Sequence, residues 1–183
     1  MPRIQAINPE QAHGKTKEQL DGVKKNLGMV PNIIATIANS PAALDYYLDT
    51  GKALSGGQVS AKVREQIALT VAGENTCDYC ASAHTVLGKM AGVDDRELAH
   101  SLRGRSDNLQ VAAALKFAKV IVAKRGFVSS ADLQKVRDAG YEESEIVEIV
   151  AHVTHNIFTN YINHIAETDV DFPFVDTGFR DAA

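Results

Sequence analysis

The sequence predicts an all-α fold in a single domain over residues 1–183, and three observations carry that prediction. Capping residues precede apolar-periodic runs, and glycines follow them, along the whole chain. No hairpin signal, strong internal repeat or low-complexity linker interrupts the series. A length of 183 residues with 45% hydrophobic content is enough for one buried core.

After a short N-terminal arm, a first helix is expected from about Thr16 to Leu27, closed by Gly28. Pro31 leads into "NIIATIANS", and Ser40-Pro41 opens "AALDYYLDTGKAL" with proline at the first helical position. The loop "SGGQ" follows. From Ser60, "AKVREQIALTVAG" is apolar almost all round, the pattern of a helix buried on most sides, with Gly73 as its expected stop. The next helix is expected from about Cys77 to Ala91, with Gly92 behind it. A short one fits "DDRELAHSLRG", where Asp94 stands three before Glu97 and Gly104 ends the segment. "NLQVAAALKFAKVIVAKRG" ends in Lys124, Arg125 and Gly126, cations suited to the negative end of a helix. Ser130 to about Asp138 makes a brief helix, and "ESEIVEIVAHVTHNIFTNYINHIAE" the longest, with Ile146, Val150, Val153, Ile157 and Ile165 at near-helical spacing. The tail "TDVDFPFVDTGFRDAA" reads as extended.

A net charge of -4 and a pI near 5.8, with 19 basic residues scattered along the chain, argue against nucleic acid or an anionic membrane as partner. The start "MPRIQAINPEQAHGK" lacks the apolar stretch of a secretory signal, and no apolar run is long enough to span a bilayer. The expected location is the cytoplasm. In that reducing compartment a structural staple is disfavoured, so two cysteines falling together as C-x-x-C favour redox or metal chemistry.

Both cysteines lie in "ENTCDYCASAH", Glu74 to His84. On a helical wheel Cys77 and His84 fall about 20° apart and Cys80 about 60° from Cys77, so the three share one face. Cys77 in the first turn would meet unpaired N–H groups and the positive end of the dipole, which favour a thiolate. Glu65, one helix earlier, falls between Leu69 and Ala72 in an apolar arc. A carboxylate there needs a partner, and a histidine on the packed neighbour would be one. Such a pair holds the imidazole tautomer and lets it exchange a proton with a cysteine. Three readings stay open on these residues: small buried hydrophobes, a zinc site short of its fourth ligand, and a redox pair. His152, His155 and His164 also raise a metal reading, with no carboxylate at ligand-like spacing between the first two. Asn156, Asn160 and Asn163 form a polar stripe suited to hydrogen bonding between helices or subunits.

The pattern E-x11-C-x-x-C-x3-H, filled by Glu65, Cys77, Cys80 and His84, resembles the alkylhydroperoxidase D (AhpD)-like family within the carboxymuconolactone decarboxylase-like superfamily. "VREQIALTVAGENTCDYCASAH" is similar to that core, and "GMVPNIIATIANSP" with "NYINHIAETDVDF" resembles its peroxidase-related branch. The resemblance spans roughly Leu27 to Phe174. It implies an AhpD-like helical bundle, usually in a homo-oligomer, that reduces organic hydroperoxides through a dithiol. By matching positions, it makes Cys80 the peroxide-attacking cysteine, Cys77 the resolving one, and Glu65 with His84 the proton relay. Helix electrostatics alone favour Cys77 as the lower-pKa thiol, so the role of Cys80 rests on the resemblance. The family pattern implies no bound cofactor or metal, and an external dithiol reductant such as a dihydrolipoamide-bearing protein. Where well-known members carry a histidine just before the second cysteine, this chain carries Tyr79. The rivals are a lactone-acting enzyme of the superfamily, whose chemistry does not call for a C-x-x-C, and a redox sensor that oxidises without turning over.

Overall fold

A computed structural model describes residues 1–178, so the end of the tail, 179–183, lies outside the described residues. Among these, the elements are helices: α1 Gly14–Leu27, α2 Asn32–Ile37, α3 Pro41–Ser55, α4 Ala61–Glu74, α5 Asp78–Met90, α6 Asp95–Ser101, α7 Leu109–Ala123, α8 Ser130–Asp138 and α9 Glu143–Ala166. The ends follow the capping chemistry of the sequence. Ser40, Ser60, Asp94, Asn108 and Ser129 each accept a backbone N–H of the first turn, and Gly28 closes α1 in the left-handed conformation.

The helix α4 is the axle of the bundle. Gln66 to Ala72 are all buried, and α5, α6, α7 and α9 pack around it. One core lies between α1, α2, α3 and α5, with Leu20, Ile33, Ile37 and Leu44 beside both cysteines. A second joins α4, α7, α8 and α9 through Ile67, Val71, Leu115, Val136 and Ile149.

Three local expectations are corrected. Gly73 does not end α4 but lies inside it, because α6 passes so close that a Cβ there would sit 2.0 Å from the Leu102 carbonyl oxygen. Lys124 and Arg125 fall beyond the last turn of α7, as C-cap and as a left-handed residue, since Gly126 is bonded back to Ile121. On α9 the inward face carries Ile146, Ile149, His152, Val153, Asn156, Asn160 and Asn163, whereas Val150 and Ile165 face outward. The buried stripe is therefore partly polar, which apolar periodicity alone does not register. The tail is non-helical, as expected, through residue 178, and it lies along α5.

Candidate active site

The corner between α4 and α5 sets the site. Asn75 caps α4, Thr76 takes a left-handed φ of 56°, and Cys77 N–H bonds back to the Ala72 carbonyl. A β-branched residue at positive φ costs on the order of 1–3 kcal/mol, held here by the packing of both helices. Cys77 is thereby the N-cap of α5 rather than a residue of its first turn, and its sulfur accepts the Cys80 N–H at 3.3 Å. The two sulfurs are 2.7 Å apart, as free thiols, and both residues are buried.

This geometry reverses the electrostatic ranking of the thiols. Burial opposes ionisation of Cys80, but hydrogen bonds from the Cys77 thiol, the charge on His84 and the Asn163 amide outweigh it and bring the thiol down to about 7. Asn160 contributes more weakly, its Nδ2 making no direct hydrogen bond to the sulfur. Cys77 is pushed well up, because its thiol donates to Cys80, because it is buried, and because it faces the Cys80 charge. The thiol favoured to ionise is therefore Cys80, at the third position of α5.

Glu65 meets His84 across the α4–α5 interface, with Oε2 2.7 Å from Nδ1. Burial alone lowers the imidazole, but the Glu65 carboxylate, by charge and hydrogen bond, and the Cys80 thiolate raise it above its ordinary value. Cys80 and His84 are separated by one helical turn and open onto the same cavity of about 310 Å³, whose other walls include Ile33, Leu87, Met90 and Phe172. All four residues of the sequence pattern are thus brought together.

Sequence reasoning missed Asn163. Its Nδ2 lies 3.2 Å from Cys80 Sγ and 3.9 Å from Cys77 Sγ, a neutral donor aimed at the sulfur that must carry charge. The only signal was the asparagine stripe, of which Asn160 does serve helix contact, accepting from Asn75 at 2.9 Å. Asn163→Leu should move the pH midpoint of Cys80 alkylation by iodoacetamide upward from about 7, read by peptide mass spectrometry; an unmoved midpoint would remove Asn163 from the site.

Tyr79 is no proton carrier. Burial and then its bond to Asp171 hold the phenol far above its ordinary range. His152 and His155 line a second cavity of about 230 Å³ behind Glu65 and His84, while His164 is exposed on another face. Burial lowers both, His155 to about 4, so they face that cavity as neutral rings. Among the described residues the metal-like grouping is Glu97, His100 and Asp107 at the surface. The Glu97 carboxylate there is already engaged by Gln66, Ser106 and the Asp107 N–H.

Comparison with known proteins agrees with this fold. A family model, the carboxymuconolactone decarboxylase family, matches residues 41–123. No curated protein sequence matches significantly. An uncharacterised peroxidase-related protein with an alkylhydroperoxidase AhpD core from Ralstonia eutropha JMP134 superposes with TM-score 0.85 at 19% identity, covering 93% of this chain and 92% of that one. A peroxidase-related protein from Silicibacter sp. TM1040 gives 0.78 at 21%, covering 91% and 92%. The debrominase Bmp8, in complex with 2,3,4-tribromopyrrole, gives 0.80 at 19%, covering 92% and 91%.

Proposed function

We propose that this chain is an AhpD-like thiol-dependent hydroperoxide reductase, a reading supported by the carboxymuconolactone decarboxylase family match over residues 41–123 and by a fold shared with a protein that has an AhpD core. The observation that carries the reading is the low-pKa Cys80 beside a second thiol and the Glu65–His84 pair, at the wall of an apolar cavity.

In the first step His84 takes the Cys80 proton, and the thiolate attacks the outer peroxide oxygen. The O–O bond breaks, Cys80 becomes a sulfenic acid, and the alkoxide takes the proton from His84 to leave as the alcohol. Glu65 keeps the imidazole oriented and stabilises its charged form. The Cys77 thiol then attacks the sulfenic sulfur, forming the Cys77–Cys80 disulfide and releasing water. A dithiol donor, such as a dihydrolipoamide protein, returns two thiols by exchange and becomes a disulfide itself. No metal or bound cofactor enters this cycle. Adding one equivalent of cumene hydroperoxide to the reduced protein should remove both titratable thiols and yield one intramolecular disulfide; full retention of both thiols would sink the proposal.

The likeness to a debrominase supports a second reading at the same thiol, in which an aryl bromide and two thiols give the arene, a disulfide and hydrogen bromide. Bromide release from a bromopyrrole, with inert thiols toward hydroperoxide, would favour it. Loss of neither thiol to either compound would point to lactone chemistry, and a disulfide that no dithiol re-reduces would mark a sensor.

The proposed setting is the cytoplasm, and no described helix is long and apolar enough to cross a membrane. We expect a homo-oligomer, supported by Val147, Tyr161 and Ile165, exposed by 67%, 55% and 59% on the outer side of α9. Sedimentation equilibrium should return a multiple of 19.7 kDa, and a monomer at all concentrations would contradict this.

A further inference from the structure

We propose that Tyr79 is a specificity-determining residue, whose hydroxyl latches the C-terminal tail at Asp171 over the cavity and restricts the site to compact, uncharged, apolar substrates. For turnover this rests on the hydroperoxide reading; for binding it does not.

Tyr79 immediately precedes Cys80 on α5 and is 4% exposed. Its hydroxyl accepts the Ile33 N–H at 3.1 Å and donates to Asp171 Oδ1 at 2.7 Å. The other carboxylate oxygen, Asp171 Oδ2, accepts the Asn32 N–H at 2.8 Å, and Asn32 Nδ2 donates to the Asp169 carbonyl at 2.9 Å. The first two N–H groups of α2 would otherwise lack partners; here a tyrosine from α5 and a carboxylate from the tail satisfy them. Phe172 then packs edge-on against the Tyr79 ring, centroids 5.8 Å apart at 88°.

Three segments distant in sequence are thus tied at the rim of one cavity, and Asp171, Phe172 and Pro173 form part of its wall. The tail is also anchored beyond the latch. Val175 N–H donates to Ser82 Oγ at 2.9 Å, and Thr177 donates to Asp78 Oδ1 through its N–H at 2.9 Å and its hydroxyl at 2.7 Å. Breaking the latch therefore loosens residues 169–173 and leaves the rest of the tail in place.

The cavity, about 310 Å³, is at the small end for ligand sites and suits one ring or a branched alkyl group. Among the described residues its only cationic wall group is His84, already paired with Glu65, and Asp171 adds a carboxylate. An anionic head would enter without a counter-ion and lose its hydration. An uncharged apolar group loses nothing of that kind and gains burial.

The test uses 2-phenyl-2-propanol, the alcohol that cumene hydroperoxide would leave, as a redox-inert probe on Cys80→Ser protein, titrated by NMR. It should bind, and phenylacetate should bind at least about tenfold more weakly. Adding Tyr79→Phe or, without touching α5, Asp171→Ala should each weaken the alcohol about tenfold. With Cys80 restored, Tyr79→Phe should lower the preference for cumene hydroperoxide over hydrogen peroxide by a similar factor, the loss falling on KM. Unchanged alcohol affinity in both latch variants, equal binding of phenylacetate, or no alcohol binding at all would overturn the proposal. The expected binding pattern in a protein that consumes no hydroperoxide would uphold the latch and remove the peroxidase reading instead.

Discussion

Replacing Cys80 by serine should abolish hydroperoxide reduction, a loss of at least about 1,000-fold, with the fold intact. The reason is positional as well as chemical. Cys80 receives the Asn163 amide at 3.2 Å, the Cys77 sulfur at 2.7 Å and the charge of His84, and these together bring a buried thiol down to about 7. A serine hydroxyl in the same cradle stays protonated and does not attack a peroxide at neutral pH. Cys77 does not substitute, because with the Cys80 sulfur gone its burial still opposes ionisation, and it is not among the residues that line the cavity. The order of loss in a peroxide-consumption assay follows. Cys80→Ser stops the first step, whereas Cys77→Ser permits one attack and leaves a sulfenic acid that dimedone traps.

His84→Ala should slow turnover by about 100-fold or more, the range for removing a positioned acid–base group. In the proposed cycle the imidazole takes the thiol proton, and its charge also lowers Cys80, so its loss should act on k for attack and on the thiolate fraction at once. The pH profile separates the two. Wild-type attack should rise with pH through about 7 and then level, since Cys80 is lowered from 9.0 to about 7 and is ionised above that value. In His84→Ala the rise should shift to higher pH, and the plateau should remain below wild type for want of the proton donor to the alcohol. Glu65→Gln should give a smaller loss of the same kind, because an amide orients Nδ1 without balancing the imidazolium charge. A His84→Ala profile that overlays wild type would assign the pair to packing.

Helix identity and most helix ends were legible because capping residues and glycines mark them locally: Asp94 accepts the Glu97 N–H at the start of α6, and Gly28 is a left-handed stop. The core helix α4 was legible from its apolar surround, and the meeting of Glu65 with His84 from an acid placed in an apolar arc. What escaped depends on a neighbour distant in sequence. Gly73 looks like a helix stop until the Leu102 carbonyl is seen pressing on it. The left-handed Thr76 moves Cys77 out of the first turn and into the cap, which inverts the order of thiol acidity that dipole reasoning suggests. Asn163 and the Tyr79–Asp171 latch join residues 83 and 92 positions apart, a separation for which neither helical periodicity nor local motif spacing carries a signal.

In the proposed function Cys77 and Cys80 cycle between dithiol and disulfide at the expense of a hydroperoxide. That cycle is tested most directly by steady-state consumption of cumene hydroperoxide with dihydrolipoamide as reductant, wild type against Cys80→Ser. Many turnovers per wild-type subunit are expected, and none above background in the variant. Equal rates in the two proteins, or a wild-type protein whose thiols survive excess hydroperoxide, would contradict it.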